Sequence, residues 1–284
     1  LVETYFDYCE LDCKYIHSHT YRAGTATGKI PQHLSYSHLH LLACPYAAWL
    51  RYEHALKGPT TPWLALGTSL HHAIEKAHMN GPFDLKFAVD LFKTEFQRII
   101  TDEEVFIGYP LLVKLRGEGM DMLGLYNAQV KDGKIKNNPL ALEKTFEIPI
   151  AGTKLVGKID KIEIDDEDGE YIGTDFKSGK AKPQEFDLRH NLQLTAYYWA
   201  IFDLYGRYPK KMVWHHLRTG EFFETTRTPQ DVEDLKTMIS NAVFMKQNNV
   251  RHRIFHDGVC NYCDYKPTIC EDYQLESELI AKGT

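Results

Sequence analysis

The sequence predicts an α/β fold in which a mixed central sheet is flanked by helices. Three observations point there. Apolar residues recur at helical spacing through the first half of the chain. Near residue 141 the period changes, and short apolar or alternating runs follow, separated by turns. A further helical stretch at 187–205 then precedes two more strand-like runs, which supplies a crossover connection.

In chain order, residues 1–34 are polar and broken by Gly24, Gly28 and Pro31, and read as an N-terminal extension. Ser35 is placed to cap a helix reaching about His54, with Leu39, Leu42, Ala43, Tyr46 and Leu50 on one stripe. Pro45 inside that stretch can kink or divide it. The segment from Lys57 to Pro62 reads as a loop, and helical patterns follow at 67–79, 84–100 and 110–131. Runs at 141–150, 153–165 and 170–178, with turns at Ala151-Gly152 and Asp165–Gly169, predict a three-stranded meander. Strands near 210–217 and 221–227 follow the crossover helix, and Pro229 opens a last helix to about residue 247.

Composition narrows the function classes. At 43% hydrophobic and 12% aromatic, the 284 residues can bury a sizeable core, which excludes disorder as a whole. The formal charge of −6 excludes a strongly basic, histone-like protein but leaves room for a local DNA-binding groove. No apolar run reaches the roughly 18 residues of a membrane span. Six cysteines are too few for a disulfide scaffold, and their clustering points to metal ligation in a reducing, cytoplasmic compartment.

Two neighbouring strands carry the chemistry. In Val156-Gly157-Lys158-Ile159-Asp160-Lys161-Ile162, strict alternation puts Asp160 on one face with Val156, Ile162 and Ile164. A carboxylate among aliphatic residues is costly to bury unless its charge is compensated. In the next strand, Asp175 and Lys177 share a face while Phe176 points away. Pairing of the two strands would bring Asp160 close to Asp175, and a divalent cation relieves such repulsion. Oxygen donors favour Mg²⁺ or Mn²⁺. Set against this is the plainer reading, a surface hairpin with cross-strand ion pairs.

The order Gly-x-Ile-Asp160, Asp175-Phe-Lys177-Ser-Gly, then Gln193-x-x-x-Tyr197 resembles the RecB-like branch of the PD-(D/E)XK nuclease superfamily. Gly67-x-x-x-His71-x-x-x-Glu75 and the segments Ser35-Tyr36-Ser37 and Cys44-Pro45 extend the likeness upstream. The resemblance implies a restriction-endonuclease-like core. It divides a single nuclease domain over 35–284 into a helical part (35–135), a catalytic α/β core (140–247) and a C-terminal cysteine segment (248–284). It implies His71, Asp160, Asp175 and the carbonyl of Phe176 as metal ligands, with Asp160, Asp175 and Lys177 catalytic. Gln193 and Tyr197 would approach the nucleic acid near the scissile phosphate. Ile159 stands where many members carry proline. Glu75 and Glu143 are supporting carboxylates rather than ligands.

The implied activity is Mg/Mn-dependent hydrolysis of phosphodiester bonds by a metal-activated water, in an exonuclease that processes DNA ends, including single-stranded ones. A helicase or recombination partner is implied, and no membrane. The rival reading is a non-cleaving, end-binding iron–sulfur module of a larger repair, recombination or spacer-acquisition assembly. Cys260, Cys263 and Cys270 lie too close to pair off as disulfides, and Cys44 is the candidate fourth ligand. Similarity to AddB-type and CRISPR-associated exonucleases implies a 4Fe–4S cluster joining the two ends of the domain. Structural Zn²⁺ is the alternative, since four thiolates suit either. Cys9, Cys13, His17 and His19 offer a weaker set of zinc-ligand types. Lys154, Lys158, Lys161, Lys180, Lys182, Arg189, Lys210, Lys211, Arg251 and Arg253 are the candidate phosphate contacts.

Overall fold

A five-stranded sheet separates two helical layers. The computed structural model describes residues 22–23, 33–41, 44–52, 56–248, 250, 252–253, 260, 263–265 and 270. Cys9, Cys13, His17, His19 and Arg251, and most of the expected extension, lie outside the described residues. The strands are β1 (Arg22–Ala23), β2 (Leu56–Lys57), β3 (Ala141–Ile150), β4 (Thr153–Ile164), β5 (Tyr171–Lys177), β6 (Lys211–His216) and β7 (Glu221–Thr225). The helices are α1 (Tyr36–Leu41), α2 (Pro45–Tyr52), α3 (Pro62–Met79), α4 (Leu85–Asp102), α5 (Tyr109–Lys131), α6 (Glu185–Arg189), α7 (Leu192–Tyr205) and α8 (Pro229–Gln247). The main sheet runs β3-β4-β5-β6-β7, and β1 pairs separately with β2. Every neighbour in the main sheet is antiparallel except β5 and β6, whose parallel pairing is made possible by the α6–α7 crossover.

Local chemistry sets the helix limits. Thr61, Asp84 and Asn191 each accept a first-turn backbone N–H (from Leu64, Phe87 and Leu194). Thr228 and Asp231 form a reciprocal capping box for α8. In α4 the residues Ala88, Phe92, Phe96 and Ile99 make the buried stripe. They pack with Leu70, Ile74, Leu115, Leu123 and Tyr126 against Phe176 on one side of the sheet. On the other side Leu194, Ala200 and Ile201 of α7 and Leu235 and Ile239 of α8 cover Leu155, Ile159, Ile162 and Met212. Leu34 joins that second core, 1% exposed, and its backbone exchanges two hydrogen bonds with Lys154 and Val156.

Four expectations need correction. The helix expected from Ser35 to His54 is two helices, because Pro45 starts α2 instead of continuing α1. The helix expected at 67–79 begins at Pro62, where Thr61 caps it. The stretch 187–205 breaks at His190-Asn191, since Asn191 caps α7 afresh. Finally, strict alternation fails in β4. Leu155, Ile159 and Ile162 share one core, while Val156 is only half-buried and Ile164 is 39% exposed. Spacings of four and then three cannot fall on one face of a regular strand, so the face inverts between Ile159 and Ile162. Asp160 sits at the inversion. No helix among the described residues is long and apolar enough to cross a membrane.

Candidate functional site

The β3–β4 hairpin turns at Ala151-Gly152, both with positive φ (49° and 73°), the signature of a type I′ turn. Its register pairs Leu142 with Lys161 and Lys144 with Ile159, which sets Glu143 opposite Asp160. That one position is missing from the ladder, and Glu143 has φ 46°, a left-handed conformation that costs a non-glycine residue. On the other side β4 pairs with β5 as far as Lys161 and Thr174, so the ladder stops just before Asp160 and Asp175. Here the sheet opens, and side chains replace backbone pairing: the Phe176 N–H donates to Asp160 Oδ2 at 2.6 Å.

Into this opening α3 lowers His71. Gly67, one turn earlier, allows the approach, because a Cβ there would meet Ser178 Oγ at 3.0 Å. His71 Nε2 lies 3.2 Å from the Phe176 carbonyl, and Nδ1 lies 3.2 Å from Glu143 Oε1 and 3.6 Å from Asp160 Oδ1. Both nitrogens thus face acceptors. Burial opposes charge on the ring, but Asp160 and Glu143 outweigh it and raise the His71 pKa to about 9. Burial, aided by the charge of Asp175 and opposed by that of His71, pushes Asp160 up to about 7. Both values state one fact: several carboxylates here compete for too little positive charge.

Asp175, 1% exposed, completes the set. Its Oδ1 meets no hydrogen-bond donor among the described residues, and its Oδ2 faces the Lys177 ammonium at 2.7 Å. Lys177 also donates to Gln193 Oε1 at 2.9 Å and stands 5.3 Å from the centre of the Trp214 ring. Burial alone would lower its pKa, but Asp175 reverses the balance and raises it, so Lys177 is an ammonium. The Gln193 amide donates to the Tyr197 hydroxyl at 3.0 Å, which in turn reaches Asp160 Oδ1 at 3.4 Å. A chain of polar contacts thus links Lys177 to Asp160 through α7. Gln193 lines the cleft above, which measures about 530 Å³, whereas Tyr197 is 4% exposed and faces inward.

The donor set suits a hard divalent cation. His71, Glu143 and Asp160 each offer a ligand atom, all within 4.8 Å of one another. Asp175 adds a buried oxygen without a donor. Glu143 enters this group more closely than its expected supporting role. The signal lay in the hairpin: a two-residue turn at 151–152 fixes which β3 residue faces Asp160. Lys158, 3.3 Å from Glu143 Oε2, also lines the cleft. Tyr36 of α1 lies within electrostatic reach of Lys177 and Asp175, and burial raises its pKa. Other expected phosphate contacts are engaged elsewhere. Lys161 is 2% exposed and pairs with Glu163 at 3.0 Å beneath Phe176. Lys210, Lys211, Lys182 and Arg189 are held by Asp165 and Asp168, Glu224, Glu221 and Asp231 respectively.

The four cysteines Cys44, Cys260, Cys263 and Cys270 are all thiols, and Cys44 lies near Cys263 and within electrostatic reach of Cys270. Cys44, 6% exposed at the start of α2, packs with Trp49, Leu50, Leu56, Tyr265 and Cys263 in a third small core. The Cys270 thiol is raised by burial and further by its neighbours Cys44 and Cys260, while the Arg253 guanidinium opposes the shift.

No curated protein matches the chain. A solved structure titled "Crystal structure of SSO0001" is similar at 13% identity and a TM-score of 0.40, over 86% of this chain and 88% of that one. The family model of the PD-(D/E)XK nuclease superfamily matches residues 33–271, a span that takes in the cleft, the opened sheet and all four clustered cysteines. By that match over most of its length, the chain belongs to the PD-(D/E)XK nuclease superfamily.

Proposed function

We propose that the protein is a deoxyribonuclease of the RecB-like branch that uses Mg²⁺ or Mn²⁺ and trims DNA ends as an exonuclease. The observation that carries this reading is the convergence of His71, Glu143 and Asp175, which line one cleft beside the Lys177 ammonium, with Asp160 buried against His71. His71, Asp160, Asp175 and the Phe176 carbonyl would hold the cation, with Glu143 as a further carboxylate. When bound, the cation supplies Lewis-acid polarisation of the scissile phosphate and activation of a water. The chain's own residues do the rest. The Phe176 N–H and Tyr197 hydroxyl fix Asp160 in position. Gln193 and Trp214 hold Lys177, whose ammonium neutralises charge building on the phosphate. Beside the Asp175 carboxylate Lys177 is held as a cation, in reach of the same site.

The cysteine cluster is read as a structural 4Fe–4S site, with Zn²⁺ as the alternative, that ties α2 to the C-terminal segment. Work on DNA ends suits association with a helicase or recombination complex. The rival, a non-cleaving end-binding module, gives no use to a buried Asp175 oxygen without a donor or to a lysine aimed beside it. End-labelled single- and double-stranded DNA, incubated with Mg²⁺, Mn²⁺ or EDTA, tests the proposal. Metal-dependent loss of the label, with circular DNA left intact and Asp175→Ala inert, is the expected result. Cleavage unaffected by Asp175→Ala overturns the site. Folded, metal-loaded protein that binds ends without cutting them establishes the rival.

A further inference from the structure

The stripe of α3 that carries His71 begins two turns earlier, at Trp63. Trp63, Gly67 and His71 recur every four residues, so they share a face of the helix, and all three line the cleft. Trp63 is half-buried and packs against the helical core. The loop leaving β5 brings the exposed Lys180 over it, with Nζ 5.2 Å from the ring centre. An indole braced from behind, lining a cleft and faced by an exposed ammonium, is a surface a nucleobase can take over. The cleft itself, at about 530 Å³, has the size of sites that take a small molecule, room for a nucleotide or two.

We infer that Trp63 and Lys180 form a stacking subsite for one unpaired base of the substrate strand. The base takes the ring face that the ammonium covers, and Lys180 moves to the phosphate of the same nucleotide. Eight residues of helix separate Trp63 from His71, a rise of about 12 Å. That is roughly three to four nucleotides of a stacked strand at 3.4 Å each, and fewer if the strand is stretched. The stacked base therefore lies two to four nucleotides from the phosphate being cut. Bases in a duplex are already stacked and paired and gain nothing from Trp63, so the subsite selects unpaired ends. This inference rests on the nuclease reading for the position of the cut, but not for the binding it describes.

The test uses the full chain and a fluorescent 12-nucleotide single strand, free or annealed, with anisotropy measured in EDTA. Trp63→Ala should weaken single-strand binding about ten-fold, within the range of base–aromatic stacking, and leave duplex binding unchanged. Trp63→Phe should restore most of the loss. Lys180→Gln should make the salt dependence shallower by about 0.7 in the log–log slope, one phosphate contact on a single strand. With Mg²⁺ present, an abasic residue two to four nucleotides from the cut should slow the wild type and have no further effect on Trp63→Ala. Wild-type single-strand affinity in Trp63→Ala, or an abasic penalty equal in both proteins, overturns the subsite and leaves the nuclease reading standing. Trp63-dependent single-strand binding by a wild type that cuts nothing with either metal supports the subsite and overturns the nuclease reading alone.

Discussion

A cation entering the proposed seat must first displace the proton that His71 holds. Both ring nitrogens face acceptors, and the neighbouring carboxylates raise the pKa to about 9. At pH 7 only about one ring in a hundred is then neutral. The apparent affinity for Mg²⁺ at pH 7 should accordingly be about 100-fold weaker than above pH 9, rising roughly ten-fold per pH unit between. Below pH 7 the slope should steepen, because Asp160, pushed up to about 7, brings a second proton to displace. Calorimetric titration with Mg²⁺ in buffers of different ionisation enthalpy counts these protons, with about one released per cation at pH 8. The metal-free fold must show the same proton from the other side. With its folded pKa above the ordinary 6.5, His71 contributes stability that is fully present below pH 6.5 and lost as pH rises through 9, about 3 kcal/mol in all. Saturation with Mg²⁺ should suppress that loss. An affinity that is flat from pH 7 to 9, or Mg²⁺ binding at pH 8 with no proton released, refutes the reasoning.

Three further outcomes are expected. Lys177→Ala should slow cleavage roughly 100- to 1,000-fold while DNA affinity changes little, since the ammonium acts on charge that develops in the transition state. Equal losses in rate and affinity would make Lys177 a phosphate anchor. Cys44→Ala should strip the anaerobically purified protein of its iron and brown colour and lower its melting temperature. The closure from Cys44 to the C-terminal thiols is worth up to about 5 kcal/mol by loop entropy, and undiminished metal content in the variant rejects the tie. Gly119→Ala should destabilise by about 1–3 kcal/mol in urea unfolding, because its Cβ would clash with the Phe92 ring. Adding Phe92→Leu should recover part of that, and an unchanged midpoint for Gly119→Ala alone would count against the packing described.

The meander and the last helix were legible because they depend on short-range rules, turn residues, capping and period, whereas Asp160, Asp175 and Lys177 were singled out by the order of motifs along the chain. Ala151-Gly152 and Asp165–Gly169 punctuate the strands, and Thr228 with Asp231 starts α8. What escaped reading depends on what covers each face. Lys161 sits in a strand that reads as half-exposed, but helices close both sides of the sheet, and Glu163 compensates its charge. Alternation broke at Asp160 for a reason no period contains, the replacement of ladder bonds by side-chain bonds. Tyr197 is spaced with Gln193 as a surface pair would be, yet α7 is packed on both flanks and turns its hydroxyl to Asp160. Tyr36 lies in the Ser35-Tyr36-Ser37 segment that extends the likeness, but its place beside Lys177 follows from how α1 docks.

The hairpin tip at Ala151-Gly152 behaves as the zero mark of a ruler. Seven residues run from it along β3 to Glu143, and seven return along β4 to Asp160. At about 3.4 Å per residue the tip stands some 24 Å from the carboxylates whose meeting it dictates. Inserting or deleting one residue at the tip would leave both strands long, apolar and able to pair, yet would carry Glu143 one step past Asp160 and turn it to the opposite face. Asn or Asp at Ala151, which accept a positive φ, should be tolerated, while bulky residues at Gly152 and changes of length are not. The exposed end of the hairpin, far along the strands from the carboxylates it aligns, is therefore constrained both in its count of residues and in which residues accept its left-handed backbone.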